Sequence, residues 1–88
     1  MYQINLVTYS TEVNIKNARR KVANRQKRIL GGWFESVKLA RKALKESFEK
    51  EGYQIGNEVK EKGSETYVKT LFFGNVMLEM EYKIIKCN

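Results

Sequence analysis

Eighty-eight residues with 42% hydrophobic content support one domain with a modest core and exclude a chain disordered throughout. The lone cysteine, Cys87, excludes an intrachain disulfide, and the lack of His and Asp removes the usual acid–base groups and most metal ligands. The net charge of +7 is unevenly placed: residues 13–45 hold eleven Lys or Arg against one acid, Glu35, and the rest of the chain is net acidic.

The first residues lack the basic start and apolar run of a signal peptide, and no apolar run is long enough for a bilayer-spanning helix. A cytoplasmic protein without membrane association is the expectation. Tyr2, Ile4 and Leu6 alternate with Gln3 and Asn5, the period of a strand. Ser10 and Thr11 end it and suit the cap of a following helix.

Residues 13–30 fit that helix. Ile15, Ala18, Val22 and Ile29 form one narrow apolar stripe, while Lys16, Arg20 and Lys27 project oppositely with Asn24 between them. Lys21 and Arg28 form a flank. From Asn14 to Leu30 there are seven bases and no acid. A solvated helix normally mixes signs and gains from i,i+4 pairs, so a one-sign block points to a binding surface. Gly31-Gly32 breaks the chain. A second helix is predicted from Trp33 to about Lys50, on the stripe Trp33, Val37, Ala40, Leu44 and Phe48, and Gly52 ends it.

From Tyr53 the period changes to two. Tyr53, Ile55, Asn57 and Val59 form one face of a strand, and Lys62-Gly63-Ser64 reads as a hairpin loop. A strand over Glu65–Phe73 follows. Gly74-Asn75 has the type II′ signature, and Val76–Lys86 is the last strand. These turns set Phe73 opposite Val76, Leu71 opposite Leu78 and Tyr67 opposite Tyr82, and they set Val59 opposite Tyr67. Lys69 falls on the apolar face, where a dry ammonium needs a partner. Snorkelling at the sheet margin, a bulge, or contact with an acid or ligand would each resolve it.

The fold class expected is therefore α+β, in the order β-α-α-β-β-β, with two helices packed on one face of a three- or four-stranded, mainly antiparallel sheet. One domain spans 1–88, with a basic helical half over 11–50 and a C-terminal β-meander over 53–86.

No catalytic residue, cofactor or metal site is indicated. Gly31-Gly32 follows a helix rather than a strand and does not fit a phosphate loop, and Glu79 with Glu81 reads as ordinary strand surface. The expected function is non-enzymatic nucleic-acid binding, with a basic helical surface on the phosphate backbone. Its residues are Lys16, Arg19, Arg20, Lys21, Asn24, Arg25, Lys27, Arg28, Lys38, Arg41, Lys42 and Lys45. The same bases suit an acidic protein surface. That alternative reading is an inhibitor or regulator of a host nucleic-acid-handling machine, in the manner of an anti-restriction or anti-CRISPR protein of a phage or mobile element. A structural or assembly subunit is a third reading. Val68, Phe72 and Met77 share the other sheet face and mark a candidate homodimer interface.

Overall fold

The computed structural model describes residues 1–63 and 65–87. In chain order its elements are β1 (Tyr2–Glu12), β2 (Lys21–Gln26), α1 (Val37–Lys50), β3 (Val59–Lys62), β4 (Thr66–Phe73) and β5 (Val76–Lys86). The strands form one antiparallel sheet in the order β2-β1-β5-β4-β3. The two-helix architecture is thus corrected to one helix on a five-stranded sheet, among the described residues.

The correction falls on the basic half. Residues 13–30 do not form a helix: Asn17, Arg28 and Leu30 have positive φ, which an α-helix of L-residues does not accommodate. Between them β2 pairs with β1, setting Leu6 opposite Gln26, Val7 opposite Arg25 and Tyr9 opposite Val22, with an irregularity between Thr8 and Tyr9. Two physical terms favour the strand. Of the expected apolar stripe only Ile29 packs against the core, while Ile15 and Val22 are exposed. The strand instead pairs the backbone groups along the free side of β1, which would otherwise lie at an open edge.

The helix also begins later than Trp33. Phe34 exchanges backbone hydrogen bonds with Tyr2, at 2.7 and 2.8 Å, which holds residues 33–34 extended. Ser36 then caps α1, its Oγ accepting from the Leu39 N–H at 3.2 Å. Trp33 is consequently 49% exposed rather than part of the core. At the other end Gly52, with φ of 90°, closes the helix. Its N–H donates to the Glu49 carbonyl, and the Tyr53 N–H donates to the Phe48 carbonyl, the paired bonds of a Schellman motif.

Ala40, Leu44 and Phe48 turn one helix face onto Ile4, Leu6, Tyr67, Tyr82, Ile84 and Val59 of the sheet. Phe48 meets Tyr82 edge to face, with ring centroids 5.0 Å apart. A 14-residue helix is about 21 Å long, whereas an 11-residue strand spans about 36 Å. The β4–β5 hairpin therefore reaches past the helix, leaving Phe73, on the helix-bearing face, 62% exposed near its turn.

That hairpin pairs Phe73 with Val76, Leu71 with Leu78 and Tyr67 with Tyr82 around Gly74-Asn75, as the turn chemistry requires. The preceding register differs from expectation. Val59 lies opposite Lys69, and Glu61 opposite Tyr67. Tyr53 and Ile55 are not in a strand, because residues 54–59 curl back through the bonds from Gly56 N–H to the Val59 carbonyl and from Val59 N–H to the Gln54 carbonyl. Ser64 of the expected loop lies outside the described residues.

Lys69 is only 5% exposed, and the third of its possible resolutions is the one adopted. Its Nζ donates to Glu51 Oε2 at 3.3 Å and sits 4.5 Å from the centroid of the Tyr53 ring. Burial lowers its pKa, but Tyr82, Glu51 and Tyr53 outweigh that effect, so the pKa is raised overall. Burial raises the Tyr82 phenol. Both groups hold their protons more tightly in the folded chain. The stability this contributes is fully present below their ordinary range near pH 10 and is lost as pH rises through the raised folded values.

Two stability measurements test this packing. Leu44→Ala should lower the unfolding free energy in urea by about 2–5 kcal/mol, and a near-neutral result would place Leu44 outside the core. Glu51→Gln, which leaves the Lys69 ammonium without its carboxylate, should destabilise by about 1 kcal/mol. The double variant Glu51→Gln/Lys69→Met should recover most of that loss, because an apolar chain of similar length needs no partner. Equal losses in the single and double variants would contradict the pairing.

Candidate nucleic-acid interface

The bases do not share one helical face. Lys16 and Arg19 lie in the connection from β1 to β2, where Arg19 and Lys21 border a small hollow with Ser10 and Glu12. Within β2, side chains alternate across the sheet. Register with Leu6, Thr8 and Ser10 puts Gln26, Asn24 and Lys21 on the helix-bearing side, while register with Val7 puts Arg25 on the other side. The expected grouping of Arg20, Asn24 and Lys27 on one outer helix face is not formed, since there is no helix there.

Aromatic rings hold two of the arginines. The Arg20 guanidinium carbon lies 3.7 Å from the Tyr9 ring centroid, and its Nη1 is 3.9 Å from Glu79 Oε1. Tyr9 and Glu79 are directly paired across β1 and β5, so Arg20 packs on the face away from the helix. Arg28 lies 5.2 Å from the ring centroid of Trp33 in the connection leading to α1. A guanidinium stacked on a ring keeps its N–H donors directed outward at its edge, available to an anion. Tyr9, Glu79 and Trp33 were not singled out from sequence as partners of the bases. The parity of Tyr9, opposite to that of the core residues Ile4 and Leu6, was the available signal.

All six residues of β2 are exposed, as are Lys27 and Arg28 beyond it. Of the seven bases from Lys16 to Arg28, only Arg20 has a carboxylate within 4.0 Å among the described residues. The β2 margin is thus a cationic edge whose charges are not neutralised internally.

The four helix bases lie elsewhere. Lys38, Arg41, Lys42 and Lys45 border a groove beside α1 that also includes Glu61 of β3 and Tyr67 of β4, toward the opposite side of the sheet from β2. Arg41 is engaged within the fold. Its Nε donates to the Tyr67 hydroxyl at 2.7 Å and its Nη2 to Glu61 Oε1. The Tyr67 hydrogen bond is the main reason the Arg41 pKa is raised, whereas burial raises the Tyr67 phenol against the opposing pull of Arg41. Arg41 therefore ties α1 to β3 and β4. The structure divides the twelve expected site residues into a β2 group and a helix group, instead of bringing them into one surface.

On the face away from the helix, Phe72 and Met77 are directly paired. Val68 is 7% exposed and Met77 half-buried, so Phe72 alone of that trio stands well out. Among the described residues, no group of three or more acidic or cysteine side chains is placed to hold a metal ion, and no helix is long and apolar enough to cross a membrane. No protein-family model, curated protein or solved structure matches the chain.

Proposed function

We propose that this is a non-enzymatic nucleic-acid-binding protein that engages the phosphate backbone along its β2 edge. The observation that carries this reading is the run of bases through β2 and its flanks, without an acid from Asn14 to Leu30 and with one ion pair, Arg20 to Glu79, among the described residues. Six strand residues extend about 20 Å. A duplex carries one phosphate per strand for about every 3.4 Å along its axis, so an edge of this length laid along the axis spans about six base-pair steps. An approach in the plane of the sheet brings both alternating faces of β2 to the ligand. Lys21 with Asn24 then serves one side and Arg25 the other, while Lys27 and Arg28 extend the track.

Basic side chains on an edge strand also prevent sheet-to-sheet aggregation. That role needs only one or two charges and is compatible with nearby acids, whereas this block is acid-free and seven bases long. Phosphate contacts position a protein without reading bases, so the reading is of an affinity for polyanionic backbone.

Binding of duplex DNA, duplex RNA and single strands should be measured across a salt series. The expected result is binding that weakens steeply with salt for at least one of them. Lys21→Ala/Arg25→Ala/Lys27→Ala should weaken it at least about tenfold and reduce the log–log salt slope by about 2–3, with the fold retained. Absence of binding at low salt, or an unchanged slope in the triple variant, would reject the proposal.

A further inference from the structure

The helix bases that Arg41 leaves unengaged frame a second site, at the opposite side of the sheet from β2 and independent of the function proposed above. A groove runs beside α1 and is lined across from the helix by Tyr53 and Ile55, which follow Gly52 at the helix end. Lys38, Lys42 and Lys45 stand along the helix wall, and none has a carboxylate within 4.0 Å among the described residues. Tyr53 and Ile55 are half-buried against the core and supply the apolar surface across from the lysines. Of the two acids in the lining, Glu61 is held by Arg41, which leaves Glu49.

We propose that this groove docks an acidic, amphipathic helical segment of a partner protein. Charge decides the class of occupant. The lysine wall, none of whose ammoniums has a carboxylate within 4.0 Å among the described residues, draws a segment bearing carboxylates. Spacing decides the form. Lys38, Lys42 and Lys45 follow i, i+4, i+7, a rise of about 6 and then 4.5 Å along the helix axis. A partner helix lying alongside, with Glu at the same intervals, meets each ammonium in turn. Its apolar side meets Tyr53 and Ile55 across the groove, the arrangement of a helix in a groove. A nucleic-acid backbone would satisfy the lysines but leave that apolar surface unmatched.

A synthetic helical peptide with Glu at i, i+4 and i+7 and Leu on the adjoining stripe is the probe, compared with a scrambled peptide of the same composition. Backbone amide shifts of the labelled protein should change around Lys38–Lys45 and Tyr53–Ile55 with the patterned peptide. Lys38→Glu/Lys42→Glu should weaken its binding by at least about tenfold, and Ile55→Ala, with a retained amide spectrum, should weaken it with the charges intact. Shifts confined to β2, equal binding of the scrambled peptide, or no binding would overturn the proposal. So would a duplex-DNA titration whose shifts fall in this groove, because the groove would then be part of a nucleic-acid surface. Loss of DNA binding in the β2 triple variant with peptide binding preserved separates the two sites.

Discussion

The pairing of the first strand with the last holds the molecule together. β1 and β5 are matched over their whole lengths, from Tyr2 with Lys86 to Glu12 with Val76. Each also supplies the partner of a neighbour, β1 for β2 and β5 for β4. Ile4 beside Ile84 and Leu6 beside Tyr82 make the floor on which Leu44 and Phe48 rest. A contact between the two ends of an 88-residue chain must close a long loop before any of this packing is gained. The pairing is therefore costly to form early and indispensable once formed, and folding should be slower than in a helical bundle of this size.

The same long-range pairing explains what the sequence reveals and what it hides. Local chemistry was sufficient for the Gly74-Asn75 hairpin, where a two-residue turn fixes the register of β4 and β5. It was also sufficient for the apolar side of α1, since Ala40, Leu44 and Phe48 recur at helical spacing. Residues 13–30 were ambiguous because Lys, Arg and Ala favour helices, and a narrow stripe of four apolar residues satisfies a helical period by chance. What makes residues 21–26 a strand is the open side of β1, which no local window contains. The start of α1 had a readable signal in Ser36, but the apolar residues Trp33 and Phe34 extended the helical pattern past it. Lys69 broke the alternation for a reason visible only in three dimensions: Glu51 arrives from the end of the helix and Tyr53 from the segment after it.

Charge was legible as a quantity but not as a shape. The acid-free run stood out in the sequence, yet its geometry depends on whether the backbone is helical or extended. As a helix it would present one basic face. As an edge strand it exposes bases on both sides of the sheet and holds Arg20 and Arg28 against Tyr9 and Trp33. The helix lysines, adjacent in sequence to this block, are carried by the fold toward the other side. One local excess of +10 thus becomes two separate cationic regions, and Arg41, in the middle of the second, serves to fasten the helix to the sheet.

The basic block forms the outer strand of the sheet. Backbone NMR on the free protein checks this through cross-strand contacts between β1 and β2. Contacts should join Val7 to Arg25 and Tyr9 to Val22, with extended chemical shifts over Lys21–Gln26. Helical shifts across residues 13–30, with those contacts missing, would contradict it.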